Sequence, residues 1–332
     1  MKILLIAGGL LLKVSLMAQD VGIGTNTQLS HLHVEQRNVL FNGPSLLPGI
    51  PGTLGPSGTG SRLIWYGDKA ALRAGFAIGA SWNQDSIGQY SMALGYNSRA
   101  TGSAALAMGS NSKAMGSVST AFGIGCTASG SGSTAFGRSS IASGEYSTAL
   151  GNHVSTSGYT GAFALGDYST TTLMESFVAN GFRARFAGGY RLFTNSAVSI
   201  GAFLNANANS WAALSDVRMK ENFLPVDGEV FLKKIAAMPQ VSWNYIGQDA
   251  KTLRHYGPMA QDFYAAFGKD AMGEIGCDTL INQQDFLGVN LIAIQALEKR
   301  TTEQEKQIRE LQKANTTLEM EVKKLIQALQ KK

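Results

Sequence analysis

An Ala-Φ-Gly triad, Φ being apolar, recurs as Ala93-Leu94-Gly95, Ala107-Met108-Gly109, Ala121-Phe122-Gly123, Ala135-Phe136-Gly137 and Ala149-Leu150-Gly151, each 14 residues after the last. Ala77-Ile78-Gly79 precedes the series by 16 residues and Ala164-Leu165-Gly166 follows it by 15. A second series, Gly88, Gly102, Gly116, Gly130, Gly144 and Gly158, keeps the period of 14 without a slip. A period this regular restricts residues 76–166 to a stack of equivalent units, each able to bury its apolar groups only against its neighbours. Two glycines per unit suit two half-turns per coil, because a tight solenoid corner needs backbone conformations that glycine adopts freely. The alternation of Φ with Ser and Thr predicts strands with one buried and one wet face, Φ being the buried one. Alanine then fits where successive coils lie too close for a larger side chain. Six coils at about 4.8 Å each make a rod of about 30 Å. One apolar residue per half-coil is a thin core for a monomer, so self-association is expected to bury what one roll cannot.

Composition agrees with a repetitive β architecture. Of 332 residues, 39 are glycine and only 15% are charged, against about 25% in an ordinary globular domain. The net charge is +5, without a dense Lys/Arg patch interleaved with aromatics, so no nucleic-acid partner is expected. Cys126 and Cys277 are far apart and fit neither a disulfide framework nor a zinc site.

The repeat resembles the head repeats of trimeric autotransporter adhesins (YadA-like). The resemblance implies a left-handed parallel β-roll assembled as a homotrimer, with a host or surface glycan or protein as its partner. Those adhesins carry a membrane β-barrel, whereas here the repeat leads to a different kind of C-terminal region. The serines Ser91, Ser103, Ser119, Ser133 and Ser147 recur for structural reasons, none having a repeated base partner. Acids are few in the roll, Asp85 and Glu145 among them, and lack the paired spacing of a polysaccharide hydrolase.

Lys2, the apolar run Ile3–Leu12 and Val14–Met17, and Ala18 before Gln19-Asp20 read as a signal peptide over 1–18, so a secreted or cell-surface location is expected. The run is too short and broken for a membrane span. Residues 19–75 read as short strands and a flexible Gly/Pro linker. Gly22-Ile23-Gly24 lacks the strand and helix of a dinucleotide loop. His31 and His33 share a strand face but have no further ligand nearby, so no metal and no cofactor are expected. Gly49, Gly52, Gly55 and Gly58 are too few for a collagen helix. Residues 167–214 read as a β neck in which Arg183, Arg185 and Arg191 are solvated or ion-paired.

The stretch Trp211-Ala-Ala-Leu214-Ser215-Asp216-Val-Arg218-Met-Lys220-Glu221-Asn222 divides the chain. A serine is a weak nucleophile and needs an adjacent base. A lysine serves if desolvation disfavours its ammonium form, and a Ser-Lys pair is a known variant of the triad logic. Five residues of separation on a helix would not align Ser215 with Lys220, so a turn between them is required. The spacing alone equally allows a turn start capped by Ser215, followed by an exposed lysine.

Ser215-Asp216-x-Arg218-x-Lys220-Glu221-Asn222 also resembles the opening motif of the intramolecular chaperone auto-processing domain of phage endosialidase tailspikes. Trp243-Asn-Tyr245, Tyr256-Gly257-Pro-Met-Ala260-Gln261-Asp262 and Val289-Asn290-Leu-Ile-Ala-Ile-Gln-Ala-Leu297 extend the match. Pro258, and Asp262 in place of Glu, depart from that family's pattern. The resemblance implies an α/β chaperone domain over 215–300, with Ser215 and Lys220 as the catalytic dyad of a self-cleaving serine peptidase and Leu214-Ser215 as the bond cut. It carries no expectation of an external substrate. From Leu287, heptads run through Ile294, Thr301, Ile308, Asn315, Val322 and Leu329, and in the second core position through Asn290, Leu297, Gln304, Leu311, Leu318 and Leu325. That pattern predicts a coiled coil over 301–332, Asn315 fixing its register at some cost in stability.

Overall fold

The computed structural model describes residues 21–23, 32–34, 37–55 and 57–330. The expected signal peptide, Gly24 and His31 lie outside the described residues. The chain divides into two compact units, one holding residues up to 190 with 205–208, the other 191–204 with 209–332.

The first unit is a β-solenoid of about 5 turns over residues 92–166. A seven-residue antiparallel hairpin, Gly60–Tyr66 with Ala71–Ala77, opens it. The second hairpin strand pairs in parallel with Met92–Tyr96, and the pairing continues through Leu106–Ser110, Thr120–Ile124, Thr134–Arg138, Thr148–Asn152 and Phe163–Gly166. Register follows the repeat, with Ala93, Ala107, Ala121, Ala135 and Ala149 in one column. The other half of each coil gives the two-residue strands Arg99–Ala100, Lys113–Ala114, Thr127–Ala128 and Ile141–Ala142, stacked in a second parallel sheet.

Side-chain direction reverses the expected assignment of Φ. The alanines point inward with 0% exposure, whereas Phe122 and Phe136 lie on the outer face, 38% and 50% exposed. From Ala93 to Ala149 the interior is lined by Ala, Ser and Cys, and Val154 and Thr156 enter it only in the last coil. Ser98, Ser112 and Ser140 form an inner column in which each hydroxyl donates to a glycine carbonyl of the next coil at 3.0 Å. Cys126 fills the same column, its sulfur 3.2 Å from the Gly137 carbonyl, and burial pushes its thiol up. Ser91, Ser119, Ser133 and Ser147 each donate to the carbonyl of the glycine three residues earlier. Ser103 is exposed and out of that column, which Ala105 occupies.

Two glycine ladders set the coil spacing, both by close approach to the next coil and the first by its backbone conformation as well. Gly95, Gly109, Gly123, Gly137 and Gly151 have φ between 103° and 127°, the left-handed region. Gly102, Gly116 and Gly130 have ordinary φ but lie so close to the next coil that an added Cβ would stand 1.9–2.0 Å from a carbonyl oxygen. Gly158 keeps the sequence period but leaves the ladder. The last coil carries an extra residue, and Gly144 lies instead against the Tyr159 carbonyl.

Both ends of the roll are closed by arginine. Arg73 is fully buried and donates to the carbonyls of Leu72, Ser91 and Ala100 and to the Ser91 hydroxyl. Burial pulls its guanidinium down to about 10. The Gly/Pro stretch before it has no regular structure yet is pinned: Tyr66 donates to the Gly52 carbonyl at 2.6 Å, and Asp68 accepts the Gly52 N–H at 2.8 Å. At the far end Arg185 donates to Asp167 and to the carbonyls of Asn152 and Thr172.

Asp167 accepts the Ala187 N–H at 2.7 Å and the Ser169 hydroxyl at 2.7 Å, and with Arg185 these hold its carboxyl at about 2, below the usual 3.8. A depressed folded value means its stabilisation is fully present above about pH 4 and fades as pH falls towards 2. Thermal melts of wild type and Asp167→Asn should therefore differ at pH 5 and converge near pH 2.

In the second unit, Gly201–Asn205 pairs antiparallel with Ala212–Ala213. Helix α1 (Gly228–Ala237) is capped by Asp227, whose carboxylate accepts the Glu229 and Val230 N–H groups. A short hairpin, Val241–Trp243 with His255–Gly257, leads to α2 (Ala260–Phe267) and α3 (Gln283–Leu329). Met238, Phe263, Phe267 and Val289 form the core, with Phe231, Ile235 and Phe286 packed on it. Gly228 allows α1 to cross α3 closely, since a Cβ there would meet Ala296 Cβ at 2.8 Å.

At 47 residues α3 is roughly 70 Å long. It buries Val289, Ala293 and Ala296, while Leu287, Ile294, Leu297, Ile308, Leu311, Leu318, Val322, Leu325 and Leu329 form an exposed heptad stripe on a different face. One helix thus serves its own domain and presents a second, unpartnered seam. Among the described residues no helix is long and apolar enough to cross a membrane.

Candidate functional site: the Ser215–Lys220 joint

The joint is built from a strand on one side and a single tight turn on the other. Ala212–Ala213 pair with Phe203 and Ala202, holding the chain extended up to Leu214. Asp216 then caps a 3-10 turn over Val217–Met219, its carboxylate accepting the Arg218 N–H at 2.9 Å. The cap is therefore Asp216, not the Ser215 that spacing alone allowed. The turn reverses the chain, and Lys220 Nζ donates to Ser215 Oγ at 2.8 Å. Nucleophile candidate and base candidate are thus in hydrogen-bond contact, through the turn the spacing required.

Both residues are exposed in the single chain. Around them Trp211, Leu214, Val217, Met219, Phe223, Leu224 and Val226 are all more than 40% exposed. Seven large apolar side chains within sixteen residues, none buried, are a surface that the single chain leaves open. Asp216 and Arg218 shift one another: the guanidinium holds the carboxyl below its usual range, and the carboxylate raises the guanidinium. The sequence carried a signal for this collar, large apolar residues at irregular spacings of one to four positions without strand or helix periodicity, but not for its exposure.

The other singled-out residues fall as follows. Trp243 packs against Tyr245 and His255 at ring-centroid distances of 4.9 and 4.7 Å, bracing the hairpin. Met259 stands at the N-cap of α2, and Val289 to Leu297 lie on α3. Arg183 stacks over Phe177 and donates to the Glu175 carbonyl, Arg185 pairs with Asp167, and Arg191 lies 5.3 Å from the Phe203 ring centroid. These arginines are occupied within the neck and end cap. Cys277 is exposed and Cys126 buried, both free. Among the described residues no group of three or more His, Cys, Asp or Glu could hold a metal.

Comparison with known families finds similarity in two parts of the chain. Residues 215–271 match the chaperone of endosialidase family, Ser215 standing at the first matched position. Residues 86–112 and 128–153 match two copies of the YadA head domain repeat. The chain joins a head-repeat β-roll to a C-terminal domain of the endosialidase-chaperone type. No curated protein matches it.

Proposed function

We propose that this chain is an exported homotrimeric fibre, adhesin-like in its β-roll. Its C-terminal domain aligns three copies, assists their folding and then releases itself by cutting Leu214–Ser215. The observation that carries the reading is the 2.8 Å contact between Lys220 Nζ and Ser215 Oγ at the start of the chaperone-type domain.

In the proposed reaction Ser215 Oγ attacks the carbonyl carbon of Leu214 while Lys220 takes the hydroxyl proton. The C–N bond breaks, the proton passes to the departing Ser215 amine, and an ester links Leu214 to Ser215 Oγ. Water hydrolyses that ester, leaving a Leu214 carboxylate and a chain beginning at Ser215. A solvated lysine is a poor base at neutral pH, because water favours its ammonium form. Neighbouring copies that cover Leu214, Val217, Met219 and Phe223 would supply the missing desolvation. Cutting would then follow assembly, which is the order a release device needs.

Self-association is supported by what one copy leaves open. The outer column Leu94, Met108, Phe122, Phe136, Leu150 and Leu165 runs unbroken along the roll, and the α3 heptad stripe is exposed for its whole length. Phe136→Glu is expected to leave the roll monomeric once residues 215–332 are removed, since three carboxylates would have to be buried unpaired, at several kcal/mol each. Thr127→Glu, on the opposite sheet, should stay trimeric. Light scattering of the two fragments decides.

A second reading keeps the same fibre with an uncut C-terminal trimerisation tip. The exposure of Ser215 and Lys220 in the single chain favours it, and the fate of the Leu214–Ser215 bond in the assembled protein separates the two.

A further inference from the structure

Asp216 makes four hydrogen bonds to Arg218. One carboxylate oxygen accepts the backbone N–H at 2.9 Å and Nε at 3.0 Å, and the other accepts Nε at 3.1 Å and Nη2 at 2.5 Å. The same turn is closed by the Met219 N–H on the Asp216 carbonyl at 3.0 Å and the Lys220 N–H on the Val217 carbonyl at 3.2 Å. Five residues of extended chain would separate Ser215 from Lys220 by roughly 17 Å. The lysine reaches the serine only because this turn folds the chain back. A lysine stem has many accessible rotamers and does not hold such a position unaided.

We propose that Asp216, acting through Arg218, is a positioning residue for the cut at Leu214–Ser215: the clamp fixes the turn that returns Lys220 Nζ to Ser215 Oγ. The inference rests on the reading of Ser215 and Lys220 as a self-cleaving pair. The clamp has a second property, electrical balance. Asp216 and Arg218 together add no net charge beside the pair, and Glu221 is the other ionisable neighbour in the sequence. Either partner alone would unbalance the joint. With Arg218 left uncompensated, a second positive charge nearby is disfavoured, and the rising limb of the cleavage rate moves to lower pH. With Asp216 left uncompensated, an ammonium is favoured, and the limb moves to higher pH.

The test is the time course of cleavage in the full-length assembled protein, followed by intact mass across roughly pH 6–10, for wild type, Asp216→Asn, Arg218→Gln and the double variant. Each single variant is expected to be about 10- to 100-fold slower, the scale set by misplacing a reacting group by about an ångström. Their pH limbs should shift in opposite directions, and the double variant should remain slow with its limb back at the wild-type position. A turn that matters only for folding would slow both singles without moving either limb, and that result overturns the inference. So does cleavage of both at the wild-type rate. Should Asp216→Asn fail to assemble by light scattering, Arg218→Gln decides alone, because it keeps the backbone cap. Wild type that stays uncut would overturn the self-cleavage reading itself, whereas wild type cut normally with unaffected variants overturns only the positioning role.

Discussion

Replacing Gly116 with alanine is expected to unfold the β-roll or lower its stability by more than about 3 kcal/mol, well beyond an ordinary surface substitution. The added Cβ would stand 2.0 Å from the Gly130 carbonyl oxygen and 2.5 Å from its carbon, inside any van der Waals contact. The backbone there has ordinary φ, so the cost is close approach rather than conformation. Relief requires the two coils to part. Parting them weakens the bonds that tie this coil to the next, among them Gly116 N–H to the Ala128 carbonyl at 3.2 Å and Met115 N–H to the same carbonyl at 2.7 Å. Gly125→Asn is the control. Gly125 sits at φ 66°, a corner at which the two preceding coils place Asn97 and Asn111 at φ 51° and 56°, and an added Cβ there meets only Ser139 Oγ at 3.8 Å. That substitution is expected to stay within about 0.5 kcal/mol of wild type. Circular dichroism melts of the two variants give the comparison. Equal stabilities would contradict the coil spacing described for the roll.

The repeat made the coils, their parallel register and both glycine series legible, because a 14-residue period leaves few ways to stack. Hydrophobicity alone points Φ inward, opposite to its place in the structure. The better signal was size tolerance: one column accepts Leu, Met and Phe, while the neighbouring position is Ala in every coil from Ala93 to Ala149. A column that admits only alanine must face the narrow lumen. Gly158 shows the limit of counting, since a one-residue insertion moves it off the ladder while the sequence period still appears intact. Arg73 gave no warning at all. A buried cation held by carbonyls of chain up to 27 residues away leaves no local pattern.

At the joint, spacing gave the need for a turn, and the resemblance gave the roles proposed for Ser215 and Lys220. Neither revealed that the capping side chain is Asp216 or that the pair is exposed in one copy. The coiled-coil heptads were readable from Ile308 onward, and the weak layer at Thr301 and Gln304 falls just beyond Arg300, the residue whose guanidinium pairs with Glu229 on α1. There α3 leaves its own domain and carries only the exposed heptad seam.

Ser215→Ala and Lys220→Ala should have the largest functional effect of any substitution here. Removing the hydroxyl removes the nucleophile, and removing the amine leaves the hydroxyl with no base in contact. Either change is expected to slow cleavage by at least about 1,000-fold, and neither side chain is buried within one copy, so each copy should still fold, with assembly checked by light scattering. The direct measurement is the intact mass of the assembled, full-length protein beside the two variants. The account predicts a wild type that separates into two pieces meeting between Leu214 and Ser215, with the second piece beginning at Ser215, and variants that remain whole. A fully assembled wild type with an unbroken Leu214–Ser215 bond, or a Ser215→Ala variant cut at that bond, would contradict it.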